Sequence, residues 1–214
     1  MKYKRQADSV IFPWLESNLE LGKTIVDIGA RKGHWYKNLT KTFGNNTAYL
    51  FEPTPNIADW LKRKYTNVNV EQCALSNENG KLEFHIDLEK GGWSGLKKQR
   101  SEGKYETIFV DVKTLDDYNL SNVGLIKIDV EGAELRTLQG AKNTIVKNKP
   151  IIYFECADVH LENYEYDAND IFDFFESINY DIIDLDFNKC TKEKLAEHTA
   201  SKSSFYHNFI ACPQ

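Results

Sequence analysis

From residue 24 onward, short apolar runs alternate with stretches in which apolar residues recur every three or four positions. The apolar runs are rich in β-branched residues and are bounded by Gly, Pro or acids, a pattern that predicts buried strands. They are TIVDIG (24–29), TAYLFE (47–52), VNVEQCAL (68–75), KLEFHID (81–87), TIFVDV (107–112), VGLIKID (123–129), PIIYFECA (150–157), YDIIDLD (180–186) and FYHNFIACP (205–213). Helical spacing falls in HWYKNLTKTF (34–43), NIADWLKRKY (56–65), GAELRTLQGAKNTIVKN (132–148) and DANDIFDFFESI (167–178), with Pro53 and Pro55 ahead of the second and acids opening the last. Residues 1–22 read as an amphipathic helical lead-in interrupted near Pro13, and residues 88–104, rich in Gly and Lys without a period, read as a loop.

Strand and helix alternating through short links predict an α/β fold, a largely parallel sheet with helices on both faces. The last two runs are expected to include an antiparallel edge strand, and residues 81–112 a small hairpin. Neither a composition break nor a repeat divides the chain, so residues 1–214 are expected to form a single domain.

Composition changes this picture little. The 214 residues are 41% hydrophobic and 28% charged, ordinary for a globular protein. A net charge of -5, from 27 basic and 32 acidic residues, argues against a nucleic-acid partner. Lys97, Lys98, Arg100 and Lys104 read as a solvated loop. Cys73, Cys156, Cys190 and Cys212 form no C-x-x-C pair, so neither a disulfide framework nor a zinc site is expected. The start of the chain lacks the continuous apolar run of a signal peptide, and no stretch reaches membrane-spanning length. A soluble, cytoplasmic protein is expected.

The chemistry starts at the end of the first strand. DIGARKG supplies Asp27, Gly29, Ala30 and Gly33 where a helix N-terminus follows a glycine turn, the place at which open α/β sheets bind ligands. Glu52 closes the second strand, 19 positions after Gly33, and Pro53 follows it. An acid there accepts hydrogen bonds from a ribose diol. The glycine spacing is not the G-x-G-x-x-G that holds a pyrophosphate, so a ligand with a ribose but no phosphates fits better. S-adenosylmethionine is such a ligand, and its sulfonium suits a site with carboxylates and aromatic faces. Ala74, Leu75 and Ser76, in CALSNENG after the third strand, are then placed beside the adenine; Ser76 reads equally well as a turn cap.

TIVDIGARKGHW, AYLFEPTPN, CALSNENGKLEF, VKTLDDY, LIKIDVEGAELRTLQGA and PIIYFE together resemble the FkbM-type methyltransferase family in order and spacing, over roughly residues 24–157. The most specific piece is KIDVEGAEL followed by LQGA. The resemblance implies a Rossmann-like class I methyltransferase fold with a seven-stranded, mostly parallel sheet, S-adenosylmethionine as cofactor, and O-methylation, often of a sugar or glycan hydroxyl. It implies cofactor contacts from Asp27, Gly29, Ala30, Gly33, Glu52, Pro53, Ala74, Leu75, Ser76 and Asp129. Arg31 stands where the family usually carries Asn, and residues 88–104, the expected active-site loop, match only through Gly92, Ser94, Gly95 and Leu96.

Within VGLIKID, alternation puts Lys127 and Asp129 on one face, opposite Ile126 and Ile128. Lys127 is expected to pair with Asp129 or with Glu155 of the neighbouring strand. Asp129, where the cleft opens, is the candidate general base or orienter of an acceptor hydroxyl, with Lys127 holding its geometry. His160 is the rival base, or else an exposed loop residue. Glu134 reads as stabilising a helix N-terminus beside its surface neighbour Glu131, which remains an acceptor-binding candidate with Trp93 and Ser94 of GGWSG. Either Trp35 or Tyr36 is expected in the core. A divalent ion on Asp129, Glu131 and His160 is conceivable, but no hallmark ligand spacing is present and no metal is expected. Two other functions fit the sequence less well. An NAD-binding oxidoreductase lacks its glycine motif and a Tyr-x-x-x-Lys pair; a silent methyltransferase fold would have no reason to retain Asp27, Gly29, Glu52 and Asp129 together.

Overall fold

Thr24–Ile28 (β1) and Val123–Ile128 (β7) are nearly continuous apolar runs because both their faces are covered. The structure, a computed structural model, describes residues 2–44, 46–201 and 203–214. Among these, seven strands form the main sheet in the order β3-β2-β1-β7-β8-β10-β9, where β2 is Ala48–Phe51, β3 Asn69–Glu71, β8 Ile151–Glu155, β9 Tyr180–Ile183 and β10 Asn208–Pro213. All its pairings are parallel except those of β10, which runs against both β8 and β9 one place in from the edge.

Alternation along the strands builds two cores. Ile25, Leu50, Leu125, Tyr153 and Ile210 pack with Lys2–Asn18 (α1), His34–Phe43 (α2) and Pro55–Lys64 (α3). Val26, Ile28, Ile126, Ile128, Ile152 and Phe154 face Glu134–Gln139 (α4), Lys142–Asn148 (α5), Ala168–Ser177 (α7) and Lys192–Thr199 (α8). Between β8 and α7 lies Asp158–Leu161 (α6). A second sheet of the described residues, ordered β4-β6-β5, joins Ala74–Leu75 (β4) to the antiparallel hairpin of Gly80–Asp87 (β5) and Tyr105–Lys113 (β6).

Four local expectations are corrected. VNVEQCAL is not one strand: β3 pairs with β2 in the main sheet and β4 with β6 in the other, so the chain changes sheets at Gln72–Cys73. Helix 132–148 breaks at Gly140, whose Cβ, if it had one, would meet the Ser76 carbonyl oxygen at 1.9 Å. The lead-in helix α1 is not interrupted at Pro13. An interior proline costs about 3 kcal/mol, and full burial of Ile11 and Leu15 on either side offsets it. Helix α8 was not anticipated, since Leu195 is its single fully buried apolar residue; its start is marked by Thr191, whose side chain accepts from Lys194 N at 3.3 Å. Among the described residues no helix is long and apolar enough to cross a membrane.

Candidate active site

The strand order reverses between β1 and β7, and a cavity of about 540 Å³ opens at the carboxyl ends of β1, β2, β7 and β8. That volume lies within the usual range for small-molecule sites. Its base is built by the turn after β1. Gly29 has φ +75°, and a Cβ there would lie 2.0 Å from the carbonyl oxygen of Asp129, so only glycine lets the ends of β1 and β7 approach so closely. Gly29 N and Ala30 N both donate to Phe51 O, at 3.1 and 3.0 Å, which ties the turn to β2.

Glu52, at the end of β2, is held by that same turn. Its Oε2 accepts from Arg31 N at 2.9 Å and its Oε1 from Thr54 N at 2.8 Å. Burial raises its pKa, and the two backbone donors oppose the rise. A carboxylate has further lone pairs beyond those two bonds, and Glu52 and Pro53 both line the cavity. So do Gly29, Ala30, Ala74 and Leu75. Gly33 does not: it caps α2 in the left-handed region, under the Tyr65 ring, and accepts from Tyr65 OH at 3.0 Å. Ser76 is also off the cavity wall, with its hydroxyl donating to Asn77 Oδ1 at 3.2 Å.

Lys127 and Asp27 are cross-strand partners in the β1–β7 register. The Lys127 ammonium lies 3.2 Å from Asp27 Oδ1 and 3.5 Å from Asp129 Oδ2, and it donates to Gly29 O at 3.0 Å. Its expected pairing with Asp129 is present; Asp27 is an additional and more deeply buried partner. Asp27 lies under the lysine, outside the cavity lining, and desolvation raises its pKa against the pull of Lys127. Asp129 is the partner that reaches the cavity, with a side chain 23% exposed.

The segment after β7 is a tight turn rather than the start of a surface helix, because α4 begins only at Glu134. Glu131 has φ +56° and Gly132 φ +103°; a Cβ on Gly132 would strike His160 O at 2.5 Å. Tyr166 OH donates to Gly132 O. Glu134 folds back so that its Oε1 accepts from Val130 N at 3.1 Å and Gly132 N at 3.3 Å. Its complete burial pushes its pKa up to about 7. Glu131 and Glu134 are both buried, contrary to the expectation of exposed neighbours. Glu131 lines the cavity, whereas Glu134 braces the turn that presents it.

The loop between β5 and β6 closes one side. Asp87 organises it: its Oδ1 accepts from Glu89 N and Lys90 N at 2.8 and 2.7 Å, and its Oδ2 pairs with Arg100 at 2.7 Å. Ser94, Gly92 and Leu96 line the cavity. Arg100 is thus anchored, while Lys97, Lys98 and Lys104 are exposed as expected. Trp93 is turned away from the cavity wall and packs edge-to-face on His160, with ring centroids 5.6 Å apart. His160 is buried in α6 rather than exposed in a loop, and its Nε2 lies 3.1 Å from Glu131 Oε2.

Tyr153 and Asn208 line the cavity and escaped the sequence reading; Trp35, read as a core candidate, and Glu155, read as a Lys127 partner, line it as well. Trp35 and Tyr36 are both buried, and Trp35 stacks on Tyr153 at 6.1 Å. Tyr153 OH donates to Asn208 Oδ1 at 3.0 Å. The alternation of β8 was the available signal, since Tyr153 is the register partner of Lys127 and Glu155 follows it on the same face.

A seven-stranded sheet in this order, with its cavity at the switch between β1 and β7, is the class I methyltransferase fold. The chain belongs to the FkbM methyltransferase family: the Methyltransferase FkbM domain matches residues 27–182. It is similar to 2-O-methyltransferase NoeI of Sinorhizobium fredii (strain NBRC 101917 / NGR234), 27% identical over 157 residues that cover 64% of each chain. It also resembles Methyltransferase 1 of Beauveria bassiana (strain ARSEF 2860), 28% identical over 142 residues, 54% of this chain and 57% of that one. The chain thus spans less than two thirds of the length of these curated relatives. In fold it matches methyltransferase FkbM from Methylobacillus flagellatus KT, with TM-score 0.53 and 18% identity over 89% of this chain and 43% of the other. It likewise matches the plantazolicin methyltransferase BpumL in complex with SAH, with TM-score 0.52 and 9% identity over 99% and 85%.

Proposed function

We propose that this chain is an S-adenosylmethionine-dependent O-methyltransferase, acting through one domain with residues 88–104 as its active-site loop, on a hydroxyl of a sugar or glycan. The observation that carries the reading is Glu52, a buried carboxylate fixed by two backbone N–H groups on the wall of the cavity that Gly29 and Asp129 also line. The cofactor fits that wall: Glu52, held by two backbone donors, retains acceptor capacity for a ribose diol. Gly29, Ala30, Glu52, Pro53, Ala74 and Leu75 would hold it. When bound, S-adenosylmethionine supplies an electrophilic methyl group.

The remaining work belongs to the chain. Asp129 reaches the cavity and accepts the acceptor hydroxyl's hydrogen bond and then its proton, a contribution worth about 10²- to 10⁴-fold. Lys127, fixed by Asp27 and the Gly29 carbonyl, sets the position of that carboxylate. Alignment of hydroxyl and methyl supplies much of the acceleration in such a transfer. An acceptor dense in hydroxyls suits a wall that carries Asp129, Glu131, Glu155 and Asn208 beside the ring of Tyr153. Similarity to the 2-O-methyltransferase NoeI supports oxygen as the methylated atom.

Calorimetric titration with S-adenosylhomocysteine, beside NADH, tests the cofactor; labelled methyl transfer to a panel of sugars tests the acceptor. Micromolar binding of S-adenosylhomocysteine alone, followed by label on a sugar hydroxyl, is expected. Binding of NADH instead would overturn the reading.

A further inference from the structure

Among the described residues, Glu131, Glu155 and His160 each offer one ligand atom, and these atoms lie within 4.8 Å of one another. They come from three separate places, the turn after β7, the end of β8 and helix α6, and each residue is under a tenth exposed. Glu131 and Glu155 also line the cavity.

Gln99, from the loop between β5 and β6, sets the state of the imidazole. Its Nε2 donates to two carbonyls, Glu131 O at 2.6 Å and Lys97 O at 3.3 Å. Its Oε1 therefore faces His160 Nδ1 at 2.9 Å, and it also accepts from Asn163 Nδ2 at 3.2 Å. An amide oxygen only accepts, so Nδ1 carries a proton. In the neutral ring the Nε2 lone pair then points at Glu131 Oε2, 3.1 Å away. Either a second proton or a metal ion can sit between them. A proton joins only two of the three ligand atoms, whereas a divalent cation can be bound by all three. An imidazole whose other N–H is held by an acceptor is the usual arrangement of a metal-ligating histidine.

We propose that Glu131, Glu155 and His160 bind a divalent cation of the Mg²⁺/Mn²⁺ class at the edge of the cavity, with Gln99 as the residue that orients His160. Two carboxylates and one imidazole suit these ions, and three protein ligands leave coordination positions for water or a hydroxyl. Donors around one such ion sit about 3–4 Å apart at bond lengths near 2.1 Å, so small side-chain adjustments close the trio. Because two of the ligands line the cavity, the open positions face the space proposed for the acceptor, where a bound hydroxyl is oriented and made more acidic. That last role rests on the methyl-transfer reading; the binding of the ion does not.

The test uses Mn²⁺ with the full chain in the absence of cofactor and acceptor, followed by electron paramagnetic resonance. One saturable Mn²⁺ per chain is expected, weakened about 10- to 100-fold or more in Glu155→Gln and His160→Gln. Gln99→Leu, which removes no ligand, is expected to weaken it less, and Asp173→Asn on the far surface not at all. Circular dichroism identifies any variant that fails to fold. In the wild type, substoichiometric Mn²⁺ must broaden the imidazole resonances of His160 first. Absence of saturable binding, affinity unchanged in both ligand variants, or His160 resonances left sharp would overturn the proposal. None of these readouts depends on methyl transfer, so failure of the two readings can be told apart.

Discussion

Replacing Glu134 with Gln isolates one ionisation without disturbing one turn. The carboxyl is fully enclosed, and its Oε1 accepts from Val130 N and Gly132 N at 3.1 and 3.3 Å. A glutamine oxygen accepts the same two bonds, so Glu134→Gln removes the titration and keeps the geometry. Burial raises the pKa from 4.5 to about 7, with Asp129 adding to the rise. Between those two values the folded chain binds more protons than the unfolded chain, so stability falls as pH rises through the window. Above pH 7 the loss is complete; below pH 4.5 it vanishes. At 1.36 kcal/mol per pKa unit the full effect is about 3 kcal/mol, of which roughly 2–3 kcal/mol falls between about pH 5 and pH 8. Urea denaturation of both proteins at those two pH values, followed by tryptophan fluorescence, measures it. The variant should gain on the wild type by that amount at the higher pH. A stability gap that does not change with pH would refute the reasoning.

Four other perturbations follow from the same wall of the cavity. Glu52→Gln is expected to weaken S-adenosylhomocysteine binding about 10- to 100-fold, the worth of hydrogen bonds to a charged acceptor; unchanged affinity in calorimetry would remove Glu52 from the cofactor site. Asp129→Asn should leave that affinity intact and lower kcat about 10²- to 10⁴-fold, and full turnover would rule out Asp129 as the base. Lys127→Met leaves Asp27 buried without its ammonium and is expected to cost about 3–5 kcal/mol; adding Asp27→Asn should restore part of it, and a double variant no better than the single would show that the pair is not the cause. Gly29→Ala places a methyl 2.0 Å from the Asp129 carbonyl, so it should separate the ends of β1 and β7 and abolish S-adenosylhomocysteine binding, as calorimetry would read directly.

The elements at the middle of the sheet were legible because they are long, apolar and alternate cleanly. Ile25, Leu125 and Tyr153 on one face, and Val26, Ile126 and Ile152 on the other, follow from period two alone. The same rule placed Lys127 and Asp129 together. It could not show that VNVEQCAL leaves one sheet for another, because an apolar run looks the same on either side of the crossing. Helix α8 was invisible because its buried face is little more than Leu195. At the site, Glu52 and Gly29 could be read because each follows directly from the end of a predicted strand. Gln99 could not, nor could its contact with His160, which joins residues 61 positions apart, one of them from a loop without periodicity. Trp93 was an attractive acceptor contact by composition, yet its ring covers His160 instead.

The reversed strand β10 has a bearing on how the chain acquires its cavity. Among the described residues β9 reaches the main sheet only through β10, pairing Ile182 with Ala211, while β10 pairs Ala211 with Ile152 of β8 on its other side. During synthesis β9 emerges first, and the strand it pairs with is missing until residues 208–213 arrive. Asn208, the first residue of that late strand, is the acceptor for Tyr153 and part of the cavity wall. A nascent chain can therefore assemble the half of the sheet that carries Gly29 and Glu52 well before its other half. Long-range strand insertion of this kind is slow and leaves edges exposed in the interval. The cavity wall around Tyr153 is thus completed last, by the strand that brings Asn208 to its hydroxyl.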